Sequence, residues 1–260
     1  MSGSKTTAGE IHVSVLDGLA TITLDRPPVN VLTTAMLSEL ASALKRVAAD
    51  PTVRVVKLAA AGKAFCAGVD VADHFGDLLP AMMEALAELF ATFAAVPQPI
   101  VAVVSGAAFG GGLEVVLGCD LVIASDNATF GQPEIKLGVF APPATVLLPR
   151  RIGLGPATAM LLTGEAVTAG EAKRVGLVNE VFAADGFDQA ATAWIEKLLR
   201  LSGATLRLAK RALRESIDLE TADAHAEVDH IYMNELMATD DAHEGLEAFV
   251  EKRPAVWKHR

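Results

Sequence analysis

The sequence has few residues of several kinds, and each shortage narrows the classes of protein that fit it. Only two cysteines occur in 260 residues, too few for the disulfide framework of a small secreted domain. The 22 Lys and Arg residues are outnumbered by 32 Asp and Glu, and the resulting net charge of −10 disfavours contact with a phosphate backbone. We therefore expect a reducing compartment and no nucleic-acid partner.

The sequence also lacks a long uninterrupted apolar run, because its two most apolar stretches are both broken. Residues 91–104 are interrupted by Pro97 and Pro99, and residues 114–124 by Asp120. Neither reaches the roughly 18–20 uninterrupted residues that a membrane-spanning helix needs. The first ten residues, MSGSKTTAGE, lack the apolar centre of a signal peptide. These observations predict a cytoplasmic protein with no membrane partner.

The common signatures of nucleotide and metal enzymes are absent as well. The sequence contains no GxxxxGK[ST] loop, no GxGxxG in the required register, no HExxH and no GxSxG. Its six histidines do not pair at metal-ligand spacing, so we expect no metal site and no resident cofactor. Cys66 and Cys119 are interpreted as small buried thiols, because no histidine near them in the sequence would activate either one.

What the sequence does contain is enough apolar material for a large core, since 52% of its residues are hydrophobic. Strands and helices are predicted to alternate up to about residue 182, which is typical of an α/β fold. Beyond residue 185 the pattern is helical, with a soft boundary near 185–200. Strands are predicted at 11–24 (a hairpin around Asp17-Gly18), 53–59, 100–104, 121–124 and 177–181, and helices at 34–50, 79–96, 185–201, 203–218 and, once or twice, in 221–252.

The segment 100–118 has the clearest chemical signal. A continuous apolar run at 100–104 predicts a strand covered on both faces, and it leads into Gly110-Gly111-Gly112 before an apolar helix. Glycines at a helix start let a ligand approach unpaired N–H groups, as in an oxyanion site, although a tight strand-to-helix crossover needs small residues too. Glu114 is the only charge between residues 100 and 119, so it should be functional, paired or protonated.

Two further segments could complete such a site. Glu134 follows Pro133 in a stiff segment, and two carboxylates in different environments can divide the roles of acid and base. A glutamate on an exposed loop is the alternative interpretation. In GKAFCAGVDV at 62–71, Ala67-Gly68 precede the N–H of Val69, which is a weak signal by itself.

Taken together, these segments resemble the enoyl-CoA hydratase, or crotonase, superfamily. The likeness runs from about residue 11 to the C-terminus and rests on KAFCAGVD, GAAFGGGLE, CDLVIAS, ATFGQPEIKLG, LLTGE and EAKRVGLVNEV in that order. The resemblance implies a spiral of ββα turns over residues 1–195 and a helical trimerisation region over 196–260. It also implies assembly as a homotrimer or a dimer of trimers.

The resemblance implies a role for particular residues. The N–H groups of Val69 and Gly111 would bind the thioester oxygen of an acyl-CoA, Glu114 would activate water at Cβ, and Glu134 would handle the proton. Coenzyme A would be part of the substrate rather than a cofactor. Further substrate contacts are expected at Ala64, Ala67, Gly68, Asp70, Val71, Gly110, Pro133 and Phe140.

One departure from the family pattern bears on the substrate. Residues 139–145 read VFAPPAT where typical hydratases carry a glycine-rich run. This run, GVDVADH at 68–74 and the tail from Asp229 to Lys258 resemble the branch of cyclohexa-1,5-diene-1-carbonyl-CoA hydratases. A straight-chain 2-enoyl-CoA hydratase and a non-catalytic acyl-CoA binder stay open as alternatives.

Five further residues keep two interpretations. His74 is either a pocket residue or a loop histidine without a chemical role. Four cations on one predicted helical face are interpreted as a solvated basic surface, with contact to CoA phosphates as the alternative. These four are Arg207, Lys210, Arg211 and Arg214.

Overall fold

The computed structural model describes residues 9–260, so most of the N-terminal segment used to argue against a signal peptide lies outside the described residues. The described chain contains nine strands and ten α-helices. The strands are β1 Ile11–Leu16, β2 Leu19–Leu24, β3 Val55–Ala60, β4 Ile100–Val104, β5 Ala107–Phe109, β6 Leu121–Ser125, β7 Thr129–Gly131, β8 Val167–Thr168 and β9 Glu180–Phe182. The helices are α1 Thr34–Ala49, α2 Leu78–Ala95, α3 Gly111–Gly118, α4 Pro142–Ile152, α5 Leu154–Thr163, α6 Ala169–Arg174, α7 Phe187–Leu199, α8 Gly203–Ser216, α9 Thr221–Asn234 and α10 Asp240–Glu251.

Two sheets organise the first part of the chain. The larger has six strands in the order β1-β2-β3-β4-β6-β9, with β1 and β2 antiparallel and the remaining pairs parallel. The smaller has the order β5-β7-β8, and an isolated bridge between Cys66 and Ala108 extends it to the segment after β3. Along the chain, a strand of the larger sheet is followed by a strand of the smaller sheet and then by a helix. The expected spiral of ββα turns is confirmed.

The alternation of side chains along the large sheet divides the core into two layers. Ile100, Ala102 and Val104 face the layer that contains α1, α2 and α3, whereas Val101 and Val103 face α7. All five residues of β4 are buried. The continuous apolar run at 100–104 is thus a strand covered on both faces, as the sequence predicts.

Most of the predicted elements are found within one or two residues of their expected bounds. The hairpin turns at Asp17 and Gly18, whose φ values of 50° and 86° suit a tight connection between strands. The strand predicted at 177–181 is the clearest exception, because β9 begins only at Glu180. The N–H groups of Leu177 and Val178 donate to the carbonyl of Ala172, so they complete the end of α6 instead of joining the sheet.

The C-terminal segment is helical as predicted, and residues 221–252 form two helices separated by a short 3₁₀ turn at Leu236–Ala238. The predicted boundary at residue 195 falls within α7, whose Phe187, Ala191 and Ile195 pack on the sheet. Division into a core of residues 1–195 and a trimerisation region of residues 196–260 stays a prediction.

The basic face of α8 is not the solvated surface that the sequence suggested. Lys210 is buried, and its Nζ lies 2.6 Å from Oδ2 of Asp120 and donates to the carbonyl of Gln98 at 2.8 Å. Arg214 donates to the other oxygen of Asp120 at 2.7 Å. Arg211 pairs with Glu235, and Arg207 donates to the carbonyl of His259. These cations hold α8 against the end of α3 and against the tail.

Helix α2 is long and apolar enough to cross a membrane by length and composition alone. Neither of the two apolar stretches considered from the sequence, residues 91–104 and 114–124, spans this helix. In the structure one side of it packs on α1 and the core. Its buried residues are Met82, Ala85, Leu86, Leu89, Thr92 and Phe93. This spacing is the three-to-four-residue period of an amphipathic helix with one face in a protein interior.

The close approach of α3 to the segment after β3 yields a test of the fold. A β-carbon on Gly112 would lie 2.4 Å from the carbonyl oxygen of Cys66, whereas one on Gly155 in α5 would meet no atom within 4 Å. We expect Gly112→Ala to lower the free energy of unfolding by about 1–3 kcal/mol through overpacking. Gly155→Ala is the matched control and should be neutral or slightly stabilising. Urea unfolding of both variants measures this, and equal stabilities would contradict the close contact.

Candidate active site

The start of α3 brings two backbone amides together. Strand β5 pairs with the segment around Cys66, whose N–H donates to Ala107 while its carbonyl accepts from Phe109. As a result, a β-carbon on Gly111 would lie 3.1 Å from the amide nitrogen of Val69. Among the hydrogen bonds of residues 9–260, none uses the N–H of Val69 or of Gly111. Two adjacent N–H groups are thus free for an acceptor, and the one on Gly111 lies at the positive end of α3.

Glycine is required at this junction for two separate reasons. Gly110 has φ 53° and ψ −127°, a conformation that residues with a β-carbon rarely adopt. A β-carbon there would also lie 2.4 Å from Oε1 of Glu134 and 3.7 Å from the α-carbon of Gly68. The carboxylate of Glu134 therefore lies directly over the turn that presents the two free amides.

Glu114 lies one turn into α3 and is only 3% exposed. Its Oε1 accepts a hydrogen bond of 3.0 Å from the N–H of Ala144 in α4. Burial raises the pKa of Glu114 to about 8; the bond from Ala144 opposes this rise, and the negative charge of Glu134 adds to it. The carboxyl group is consequently poised to exchange a proton near neutral pH.

The partner of Glu114 depends on the two prolines that the sequence places in this region. Pro142 and Pro143 are the first two residues of α4. Proline has no N–H, and the first amides of a helix have no partner within it. Ala144 thus supplies the first free amide of α4, and Glu114 accepts from it.

Glu134 occupies a more accessible place in the 3₁₀ helix Pro133–Leu137. Burial raises its pKa, while a backbone hydrogen bond and the charge of His74 oppose the rise. The side chain of Gln132 is 1% exposed and faces this carboxylate. With its nitrogen towards Glu134, the amide donates to Oε2 at 2.9 Å and to Oε1 at 3.1 Å. Two donors thus hold the carboxylate over the Gly110 turn.

The remaining residues expected from the sequence divide into two groups. Gly68 and Gly110 are buried beside the two amides, and Ala64 is buried as well. Ala67 and Asp70 flank Gly68 and Val69 along the chain, and Pro133 precedes Glu134. Val71 and Phe140, in contrast, are exposed on the surface of the single chain, Phe140 to 66%.

Sequence reasoning missed three residues that support the site. Gln132 and Ala144 hold the two carboxylates, and Asn30 holds the chain before Val69 by donating to the carbonyls of Ala61 and Ala64. A polar residue next to a candidate carboxylate was a usable signal for Gln132. Ala144 acts through its backbone and leaves no such signal.

The two cysteines play no chemical part in this arrangement. Both are buried, and burial raises the pKa of Cys66 to about 12 and that of Cys119 as well. A thiol that stays protonated at neutral pH is a poor nucleophile, and the interpretation as small buried thiols is confirmed. No group of three or more potential metal ligands occurs in residues 9–260.

Comparison with known proteins identifies the fold. The enoyl-CoA hydratase/isomerase family model matches residues 15–260. An enoyl-CoA hydratase from Geobacillus kaustophilus superposes with a TM-score of 0.95 at 30% identity, over 100% of both chains. The fold is that of the crotonase superfamily.

Proteins that are similar to this chain in sequence belong to the same family as those that share its fold. The chain is 40% identical to the cyclohexa-1,5-dienecarbonyl-CoA hydratase of Thauera aromatica, over 93% of each chain. It is 35% identical to the 2,3-dehydroadipyl-CoA hydratase of Escherichia coli K12, over 96% of this chain and 99% of that one. The protein belongs to the enoyl-CoA hydratase/isomerase family. It is an enzyme of the hydro-lyase type, with an acyl-CoA thioester as its class of substrate.

The raised pKa of Glu114 gives a prediction about stability. Its carboxyl group binds a proton more tightly when folded, so folding is opposed above the ordinary pKa of a glutamate, and increasingly so up to about pH 8. Glu114→Gln removes this cost. The variant should match the wild type near pH 4 and exceed its unfolding free energy by up to roughly 4–5 kcal/mol at pH 9. Urea titrations at both pH values test this, and a constant difference between them would count against a buried, proton-binding Glu114.

Proposed function

We propose that this protein adds water to a conjugated enoyl- or dienoyl-CoA thioester, with cyclohexa-1,5-diene-1-carbonyl-CoA as its substrate. The observation that carries the proposal is the meeting of two free amides, at Val69 and Gly111, with two carboxyl groups whose pKa values are both raised. Hydration of a conjugated thioester needs both components. The thioester oxygen must take up negative charge, and protons must leave water and reach carbon.

The amides of Val69 and Gly111 act on the thioester oxygen. When they donate to it, negative charge can collect there and the β-carbon becomes electrophilic. Each such donor in a preorganised site contributes roughly 10²–10³ in rate. The free end of α3 adds positive potential at the same place. No metal or resident cofactor is needed for this step, since coenzyme A enters as part of the substrate.

The two glutamates divide the proton transfers. Ionised Glu114 takes a proton from water, whose oxygen bonds to the ring carbon β to the thioester. Electrons move through the diene, and protonated Glu134 gives its proton to the remote carbon of the diene. One O–H bond of water breaks, and one C–O and one C–H bond form, to give 6-hydroxycyclohex-1-ene-1-carbonyl-CoA. The glutamates then return to their starting states by exchange with solvent.

The choice of a cyclic substrate is supported by two features of this chain. The similarity to the Thauera aromatica hydratase extends over 93% of each sequence. Pro142 and Pro143 also fix the start of α4 behind Glu114, where a glycine-rich segment would be freer. A straight-chain 2-enoyl-CoA is the second candidate, favoured by the 35% identity to a 2,3-dehydroadipyl-CoA hydratase.

We also propose that the chain acts in the cytoplasm as a homotrimer or a dimer of trimers, with residues 196–260 at the subunit contacts. Large apolar side chains on the C-terminal helices support this assembly, because they are exposed in the single chain. They include Leu213, Ile217, Met233, Phe249 and Val250. Large apolar side chains left exposed on a single chain are commonly buried in protein–protein contacts.

A substrate panel tests the proposed reaction. The purified protein is assayed with the 1,5-diene, the 1-ene and crotonyl thioesters of coenzyme A, and each product is identified by mass spectrometry and NMR. We expect the highest kcat/KM with the cyclic diene. If crotonyl-CoA is turned over at an equal or higher rate, the substrate is a straight-chain enoyl-CoA and the proposal of a cyclic one is wrong. If no thioester is turned over, the protein is a non-catalytic acyl-CoA binder.

Variants of the two glutamates test the mechanism. Glu114→Gln and Glu134→Gln should each lower kcat by about 10²–10⁴, because each removes one acid or base from the reaction. Binding of coenzyme A, measured by calorimetry, should change little. Exposed Glu247→Gln on α10 is the matched control and should keep wild-type activity. A Glu114 or Glu134 variant with full activity would refute the assigned role.

A further inference from the structure

A second cavity, of about 780 Å³, lies away from the candidate active site. Arg54 and Gln98 line it, and these residues come just before β3 and β4. The amides of Val69 and Gly111 come after the carboxyl ends of the same two strands. The cavity and the candidate active site therefore lie at opposite ends of the strands of the larger sheet. Its volume is within the range of small-molecule binding sites.

The walls of this cavity carry an excess of positive charge. Four of the lining side chains are cations and one is acidic, on a chain whose net charge is −10. The acidic one is Asp50, whose Oδ1 accepts from the N–H and the hydroxyl of Thr52 at 2.8 and 2.6 Å. The cations are Arg54, Arg207, Lys258 and Arg260. A group of cations around a cavity of an acidic protein indicates a site for a negatively charged ligand.

Two of the four cations meet at the start of α8. A β-carbon on Gly203 would lie 3.1 Å from Cγ of Arg54 and 3.4 Å from Nη1 of Arg207. Both arginines are half-buried. Because Gly203 has no side chain, the two arginines can approach the same point on the helix from different parts of the chain.

The guanidinium group of Arg54 is held in place by backbone atoms. Its Nη1 donates to the carbonyl of Leu199, and its Nη2 donates to the carbonyl of Asp17 at 2.6 Å. Gly18 leaves room for this group, since a β-carbon there would lie 2.2 Å from Nε of Arg54. The position of the charge is therefore set by the hairpin and by the end of α7.

Neither arginine has its charge neutralised by a carboxylate. Arg207 donates from Nη2 to the carbonyl of His259 at 2.9 Å, so within residues 9–260 every hydrogen bond of the two guanidinium groups goes to a backbone carbonyl. In contrast, Lys258 and Arg260 lie 3.5 and 3.2 Å from the same oxygen of Asp240. Two half-buried charges thus remain available to an anion.

The chemistry of the walls fits an organic phosphate. A guanidinium group presents planar N–H donors that match the oxygens of a phosphate, and a phosphate monoester carries a charge of about −1.5 to −2, which two arginines can balance. The rest of the wall is partly apolar and can contact an organic group. Its apolar residues are Ala48, Ala49, Pro51 and Pro97.

We propose that this cavity binds a small organic phosphate, with the phosphate held by Arg54 and Arg207 and the organic group against the apolar wall. The ligand is a phosphate monoester that binds non-covalently and separately from the acyl-CoA. This site goes beyond the proposed hydration reaction and does not depend on it.

Calorimetric titration at low ionic strength tests the site, with phenyl phosphate as the probe. We expect saturable binding at one site with a Kd below about 1 mM. Phenol lacks the phosphate and inorganic phosphate lacks the organic group, so both should bind more weakly. No binding of phenyl phosphate would overturn the proposal. Equal binding of inorganic phosphate or of benzoate would overturn the assignment to an organic phosphate, and displacement by coenzyme A would overturn its separation from the acyl-CoA.

Variants of the two arginines locate the binding. Arg207→Gln and Arg54→Gln should each weaken the binding of phenyl phosphate by at least about tenfold. Arg54→Lys keeps the charge but loses the planar donors, and it should also bind more weakly than the wild type. Arg200→Gln is the matched control, because this arginine is 78% exposed at the end of α7 and does not line the cavity. It should bind as the wild type does.

Circular dichroism and thermal unfolding establish that each variant is folded. Arg207→Gln is the decisive one, because Arg207 makes a single hydrogen bond and Arg54 joins two parts of the backbone. Wild-type affinity in Arg207→Gln would overturn the proposal. An equal loss in Arg200→Gln would do so too, since it would show a general effect of charge and not a site.

This proposal and the proposed function fail separately. Binding of phenyl phosphate that depends on Arg207, in a protein that hydrates no thioester, would support the site and overturn the proposed function. Hydration of a thioester by a protein that does not bind phenyl phosphate would do the reverse.

Discussion

The contact between two stretches of backbone is the constraint on which the rest of the site depends. At Gly111 and Gly112 the start of α3 meets the chain from Cys66 to Val69 so closely that a β-carbon at either position would collide with it. Only this approach can leave the amides of Val69 and Gly111 side by side. The smaller sheet fixes this contact. Its strand β5 pairs with the Cys66 segment and so sets the distance between α3 and Val69.

Each of the two carboxyl groups in this apolar region has its own hydrogen-bond donor. Glu114 would be costly to ionise in the core, and the single hydrogen bond from Ala144 offsets only part of that cost. Glu134 is nearer to solvent and receives two donors from Gln132. The two carboxyl groups thus differ in exposure and in hydrogen bonding, and such a difference lets similar groups act as base and acid.

Much of the fold followed from the sequence because its signals are local. The hairpin at Asp17-Gly18, the amphipathic helix α1 and the fully apolar strand β4 are each encoded by a short pattern and were found as predicted. The short strands β5, β7 and β8 were missed, because two or three residues carry no readable period and pair only when the spiral has formed.

The same distinction holds at the site. Glycines, a lone buried glutamate and a glutamate after proline were visible as side chains, and family resemblance gave them roles. The amide of Ala144 was invisible, because its value comes from its place at the start of α4. The basic residues of α8 were misread for a related reason: helical spacing shows that they share a face, but not that Asp120 lies opposite.

The ion pairs of Asp120 have a mechanical consequence. Asp120 lies two residues beyond the end of α3, and Lys210 and Arg214 tie it to α8. Helix α3 has eight residues, so it is a rod about 12 Å long. One end of this rod is anchored to the C-terminal helices, and the other end carries the amide of Gly111. The C-terminal helices therefore help to fix the position of that amide through a single short helix.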